Sequence, residues 1–502
     1  MQMYVCALHG RDIMPRGRIL SSAKAATMTI ERREFLKSTG RAITAGAAAL
    51  ALGGKILGAN DRVRVAICGV RGRGTDHIKG FPRVPGTEIA ALCDIDESIL
   101  SQRIGDVEKM NLPKPKSYVD VRKLLEDKDI DAVSIATPNH WHSLMAIWGC
   151  QAGKDVYVEK PCSHNTFEGR QLVRVVKKYN RICQHGSQWR SNPGMLEAMK
   201  HLRDGTIGEV YMARGLCFKW RPSIGHAEQE PVPAGVHYDL WTGPAPMKAF
   251  TRNRFHYNWH WIWDTGNGEV GNQAIHEIDI ARAGLGVGFP TSVSAMGGHF
   301  MFEDDQETPN TLNATYVFEA TSGKRKMMEL EVRHWITNHE AEIGTGAYGS
   351  SSVPPAGLTG DASKKPAEKK PATQQSLGPK DAKTNTVGNI FYGSSGYLAI
   401  DGYDAYKTWL TGEVEPGPHG KASGDHYANF IDCIRSRRAE DIHSPIEEAH
   451  ISTTLVHLAN ASYRLGRTLK FDAATEQVIN DDEANTLLRG TYRAPYVVTE
   501  QM

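Results

Sequence analysis

The chain has 502 residues, 40% of them hydrophobic and 23% charged, with a formal net charge of +2. That length is too great for one ordinary core, so two folded domains are expected, and the near-neutral charge lacks the broad basic footprint of a nucleic-acid binder. The eight cysteines form no C-x-x-C pair and no zinc-ribbon spacing, which argues against a disulfide scaffold and leaves a small molecule as the expected partner.

Near the start, Arg32-Arg33 precede Phe35-Leu36-Lys37 and a weakly apolar run rich in Ala and Gly. This is the layout of a twin-arginine signal peptide, so residues 1–59 read as a signal region, with Met28 giving a short leading segment and cleavage expected before Asn60. The apolar run falls short of the roughly twenty strongly apolar residues of a membrane anchor, so no stable anchor is expected. The expected location is periplasmic, reached by export of a protein already folded.

From Asp61 the pattern alternates between short apolar runs and helical segments. Val63–Cys68, Thr87–Asp94, Asp131–Pro138 and Asp155–Pro161 read as buried strands, with Leu144, Ile147 and Trp148 marking an intervening helix. Asn165 and Glu168 form a capping box for the next helix. The expected fold of residues 60–188 is therefore an α/β Rossmann domain with a doubly wound parallel sheet.

Beyond Gln188 the pattern changes to long alternating strands, in "EVYMARGLCFKW", "TSVSAMGGHFMF", "TLNATYVFEA" and "KRKMMELEVRHW". Residues 189–502 thus read as a C-terminal α+β domain on an open, mostly antiparallel sheet. Within it, residues 349–386 are poor in apolar side chains and read as a disordered insertion before "NIFYGSSGYLAI" resumes the strand pattern. Two late apolar stripes, Tyr427/Phe430/Ile431/Ile434 and Ile451/Leu455/Leu458/Tyr463, read as structural helices.

The turn "CGVRGRGTDHI" after the first strand puts glycines where a dinucleotide pyrophosphate meets a helix N-terminus. Gly69 and Gly74 take the first and third glycine places, while Arg71 occupies the second with Gly72 beside it. Asp94, ending the second strand, is positioned for a ribose 2′-hydroxyl and would repel a 2′-phosphate, which favours NAD; its competing role is an N-cap for the helix near Glu97. Arg71 and Arg73 leave NADP open.

At the end of the fourth strand stands Glu159-Lys160-Pro161. Ligands of a doubly wound sheet lie at such carboxyl ends, and a cation there stabilises an alkoxide as hydride leaves it. Pro161 restricts the backbone on both sides of its peptide bond, and Glu159 is expected to pair with the lysine ammonium.

Three stretches, Glu159-Lys160-Pro161, "ATPNHWH" (Ala136 to His142) and "GEVGNQAIHEIDIAR" (Gly268 to Arg282), resemble the glucose-fructose oxidoreductase, inositol dehydrogenase and MocA group, Gfo/Idh/MocA. The likeness runs from Asp61 to about Asp472. It implies an NAD- or NADP-linked oxidoreductase acting on CH-OH groups of sugars or polyols, with an open-sheet domain that often mediates oligomers, so a homo-oligomer (dimer or tetramer) is expected. It assigns Gly69, Arg71, Gly72, Arg73, Gly74, Asp94, Thr137, Pro138, Asn139, His142, Glu159, Lys160 and Pro161 to the cofactor. Lys160 and His276 are the implied catalytic pair.

The second motif of that family, D-x-x-x-H-x-x-D, falls here on Asn272, His276 and Asp279. Asn272 departs from it, and since an amide cannot take a proton, base work would fall to His276 or water. Gln188, Arg190, Asn272 and Asp279 are further candidates for the substrate pocket, as are Trp259 and Trp261, whose faces can stack on sugar rings. His140, His142, His256 and His260 offer no convincing third ligand, so no metal is expected. Two rival functions remain: an NAD-dependent glycosidase that oxidises its ring only transiently, and a sugar-binding protein without chemistry.

Overall fold

The computed structural model describes residues 62–319, 323–335, 338–348 and 385–500. The expected signal region and nearly all of the expected insertion lie outside the described residues; Thr386, taken as the insertion's end, already opens a strand.

The first sheet has six parallel strands in the order β3-β2-β1-β4-β5-β6. They are β1 (Val63–Cys68), β2 (Thr87–Cys93), β3 (Lys116–Tyr118), β4 (Ala132–Ile135), β5 (Asp155–Val158) and β6 (Cys183–His185). β3 and β6 escape the sequence pattern because three residues are too few to display a period. The order reverses between β1 and β4, and a ligand of such a sheet lies outside the strand ends at that switch. Gly69, Asp94, Ala136 and Glu159 each follow directly on a strand at this edge.

Helices cover both faces. On one, Leu144 and Ile147 of the Asn139–Gln151 helix pack with Leu172 and Val175 of Thr166–Lys178. On the other, Ile78 and Leu100 meet Phe430, Ile431 and Ile434 of the His426–Ser436 helix, whose Tyr427 ring stacks against Tyr157. That helix, with Tyr496 and Val498 near the C-terminus, belongs to the core of the first sheet. The chain therefore does not divide once at residue 188: its last quarter returns to complete the Rossmann layers.

The second sheet is mixed and mostly antiparallel, with ten strands. Its centre is β7 (Val210–Lys219), flanked by Thr386–Gly393 antiparallel and by Arg325–His334 parallel. The parallel pair differs from an all-antiparallel reading because helical segments intervene before Arg325–His334, whose hairpin partner is Thr311–Glu319. The strand read in "TSVSAMGGHFMF" ends at Gly298, after which His299 turns its ring to the Thr308 carbonyl at 2.8 Å. The helices Ala274–Leu285 and Ile446–Leu465 bury one face of this sheet, through residues such as Ile278, Leu455 and Leu458. Seven described cysteines are buried free thiols. No helix among the described residues is long and apolar enough to cross a membrane.

Candidate functional site

The turn after β1 uses its glycines in three ways. Gly69 has φ +80°, and a Cβ there would lie 2.6 Å from the Ala136 carbonyl oxygen, so the tight turn excludes other residues. A Cβ on Gly74 would sit 2.0 Å from the Gly69 oxygen, which lets helix Arg73–Gly80 press onto the strand. At Gly72 a Cβ would meet no protein atom within 4 Å, so this glycine faces open space at the helix N-terminus. A pyrophosphate is the group that such a cradle fits.

Asp94 closes the turn by accepting the Val70 N–H at 2.8 Å and the Asp96 N–H at 3.1 Å. Asp96 caps the Glu97–Lys109 helix, accepting from Ser98 and Ile99, so the capping role considered for Asp94 falls to its neighbour. Burial pushes Asp94 up to about 6 against those two N–H groups. It remains mostly charged at neutral pH, in keeping with NAD. Asp94→Asn keeps an acceptor for Val70 but removes the repulsion of a 2′-phosphate, so the preference for NAD over NADP should fall about ten- to hundredfold. Fluorescence titration with both dinucleotides checks this, and the wild-type preference should itself decline as pH drops through about 6.

Glu159 is not the partner of the Lys160 ammonium. Its Oε1 accepts from Arg73 Nε at 2.9 Å and Gln188 Nε2 at 3.2 Å, with His77 Nε2 at 3.0 Å, while Oε2 accepts the Lys160 backbone N–H at 3.3 Å. Burial alone would raise this carboxyl; Arg73 and His77 overcome it and hold Glu159 well below its usual range. Arg73, assigned to the cofactor by the resemblance, is thus turned to Glu159 and Asp76, and Gln188 also donates to the Tyr157 hydroxyl at 3.0 Å.

The Lys160 ammonium instead crosses to the second lobe and donates to the main-chain oxygen of Asn272. Asn272 ends the Gly268–Asn272 helix, whose last carbonyls lack helical partners and carry partial negative charge. Burial lowers Lys160 to about 8, against the pull of Glu159. The Lys160–Pro161 bond is cis.

His276 stands one turn further along the second lobe. Among the described residues its imidazole has no hydrogen-bond partner, and its ring lies 4.8 Å from that of Tyr403. Burial, then the nearby Lys160 charge, hold it well below the ordinary histidine range, so it is neutral and keeps a ring-nitrogen lone pair.

The departure at Asn272 has a local cause. Its amide donates to Glu269 Oε2 at 3.3 Å, and Glu269 also takes Arg221 in a fork at 2.9 and 3.0 Å. An aspartate at 272 would set a second carboxylate against the first.

Other expected residues are spent elsewhere. Arg190 forks onto Asp279 at 2.7 and 2.8 Å, and Trp189 Nε1 (2.7 Å) and Ser452 Oγ (2.6 Å) also donate to Asp279, which is 2% exposed. This pair ties helix Ala274–Leu285 to the start of the second lobe and does not orient His276. Asn139 is buried against Asn267 at 3.0 Å. His142 sets one ring nitrogen 2.6 Å from the Pro161 oxygen and the other 2.8 Å from that of Thr137, pinning the ends of β4 and β5 together. Pro138 is the N-cap of the Asn139–Gln151 helix. Trp261 is 3% exposed with the Arg221 guanidinium 5.7 Å over its ring, and Trp259 stacks on His260 at 3.6 Å. Core packing occupies Trp261, and burial lowers His260 to about 3, with the Lys160 charge adding to the effect. Among the described residues no group of three or more His, Cys, Asp or Glu could hold a metal.

Sequence reading passed over His77, Asp96, Lys219, Arg221 and Glu269. A signal existed for one of them: alternation along β7 puts Lys219 on the face of Gly215 and Cys217, and a charge at the end of a buried strand face calls for a reason.

Comparison with known proteins gives two matching family models, "Oxidoreductase family, NAD-binding Rossmann fold" over residues 63–187 and "Oxidoreductase family, C-terminal alpha/beta domain" over 206–293 and 415–498. A Glycosyl hydrolase family 109 protein of Shewanella pealeana is 32% identical over 205 residues, covering 36% of this chain and 45% of that protein. The chain spans less than half the length of the curated relatives it matches. Among solved structures, the WlbA dehydrogenase of Bordetella pertussis, in complex with NADH and UDP-GlcNAcA, aligns at TM-score 0.55 and 17% identity over 82% of this chain and 99% of that one. Levoglucosan dehydrogenase, in complex with NADH and levoglucosan, aligns at TM-score 0.55 and 16% identity over 82% and 99%. These likenesses establish the fold.

Proposed function

We propose that the chain, which belongs to the Gfo/Idh/MocA oxidoreductase family with an NAD-binding Rossmann domain, oxidises a secondary hydroxyl of a sugar or polyol. One observation carries the reading. The Lys160 ammonium rests on the Asn272 carbonyl one helical turn before His276, whose neutral ring is unengaged. In this reading Lys160 serves as the proton donor and His276 as the proton acceptor toward one substrate hydroxyl.

When bound, NAD supplies the hydride acceptor. Lys160 donates a hydrogen bond to the substrate oxygen and stabilises negative charge developing on it. His276 accepts the hydroxyl proton, the base role that the Asn272 amide cannot fill. Arg73, His77 and Gln188 hold Glu159, whose Oε2 accepts the Lys160 backbone N–H, so the main chain that carries the cation is fixed.

The free enzyme's kcat/KM should fall as pH rises through about 8, where Lys160 loses its proton. Its acid limb should lie below the usual histidine range, because the folded protein disfavours protonated His276. A rate that keeps rising through the alkaline range contradicts the assignment of Lys160.

A second reading, redox-neutral glycoside cleavage, draws support from the similarity to glycosyl hydrolase family 109 proteins. Export by the twin-arginine route, also part of this proposal, would put the reaction where free NAD is scarce and cofactor retention is valuable. Mass analysis of the purified protein for retained dinucleotide, followed by sugars and glycosides, tests the two catalytic readings. Net reduction of cofactor by free sugars supports the dehydrogenase; bond cleavage at constant cofactor state supports the glycosidase; neither activity with any member rejects both.

A further inference from the structure

The charged groups around the cleft do not balance. Arg73 is matched by Glu159 and Asp76, and Arg221 by Glu269. Two ammonium groups remain. Lys160 donates to the main-chain oxygen of Asn272, and Lys219 donates to the side-chain oxygen of the next residue, Gln273, at 2.7 Å. Both acceptors are neutral, and neither lysine has a carboxylate within ion-pair distance among the described residues.

The surroundings do not make up the deficit. Glu269 is saturated by the Arg221 fork and the Asn272 amide, with His334 Nε2 3.4 Å away. Glu277, one turn beyond Gln273, is pushed up to about 8 by burial and is mainly uncharged at neutral pH. Burial leaves His260, His276 and His334 neutral too. The Lys219 charge bears on Lys160, so the two ammonium groups share one field. Holding a half-buried cation on a neutral amide costs desolvation that an arriving anion can offset.

Lys160 is committed to the reacting oxygen in the reading above, whereas Lys219 has no part in that chemistry. Resting on that reading, we propose that the sugar substrate carries an anionic substituent, a carboxylate or a sulfate ester, and that Lys219 receives it. Arg221 is held in its fork on Glu269, with its guanidinium 5.7 Å over the Trp261 ring.

The test is equilibrium binding by calorimetry to the NAD-loaded protein, using glucose, glucuronate, glucose 6-sulfate and inorganic sulfate. An anionic sugar should bind about tenfold more tightly than glucose, the yield of one charge-assisted hydrogen bond, and added salt should erode the difference. Whether glucuronate or the sulfate ester leads identifies the anion. In K219M the ratio of anionic to neutral affinity should fall to about one, while K219R should retain it, which separates lost charge from lost fold. Equal binding of charged and neutral sugars, or an unchanged ratio in K219M, overturns the anion site alone. Binding of inorganic sulfate without any sugar, or of no sugar at all, overturns it together with the sugar reading.

Discussion

Lys160→Met should lower kcat/KM on the order of 10³-fold while the protein still binds NAD, because the methionine keeps the aliphatic volume and loses only the cation facing the reacting oxygen. The groups that shape the cofactor turn, Gly69, Gly72, Gly74 and Asp94, lie on other strand ends and do not contact its ammonium. The loss should appear in kcat as much as in KM, since a charge that matters mainly as the alkoxide forms contributes little to ground-state binding. Steady-state kinetics with a dinucleotide titration of the same preparation checks both halves. Unchanged turnover would remove Lys160 from the chemistry; loss of NAD binding would make the lysine part of the cofactor site.

Asp279→Ala should cost about 3–5 kcal/mol of stability, because it leaves the Arg190 guanidinium buried without its carboxylate. Burial alone would raise the Asp279 carboxyl; Arg190 overcomes it and holds the group well below its usual range, so the pair is ionised. Trp189 Nε1 and Ser452 Oγ lose their acceptor in the same step. Removing the stranded charge as well, in Arg190→Leu with Asp279→Ala, should recover part of the loss. Denaturant unfolding of the single and double variants measures this. A cost below about 1 kcal/mol for Asp279→Ala would mean that water reaches the arginine, as at an exposed pair.

Which parts of this molecule could be read in advance follows from how far apart the interacting residues lie along the chain. The glycine turn and the place of Asp94 at a strand end are legible because strand, turn and helix N-terminus are contiguous, and local sterics determine what each residue can do. His276 was reached through a short motif on one helical segment. Arg190 and Asp279 were misread as pocket residues because their partnership spans 89 positions, and nothing local distinguishes a cation bound for a substrate from one bound for a carboxylate. The same holds for Glu159, whose grip by Arg73 spans 86 positions. Lys219 gives a period-2 signal at the end of a buried strand face, but its meaning and that of Arg221 depend on Gln273 and Glu269, about fifty residues later. The stripe Tyr427, Phe430, Ile431 and Ile434 announced a helix without saying which sheet it covers, and only the fold assigns it to the Rossmann layers.

The most direct test of the central claim is a crystal structure of the protein with NAD and the sugar that the turnover panel selects. The account predicts that Lys160 leaves the Asn272 carbonyl and that its ammonium and the His276 ring lie within hydrogen-bond distance of one substrate hydroxyl. If Lys160 stays on that carbonyl, or the two groups contact different parts of the ligand, the proposed catalytic pair is contradicted.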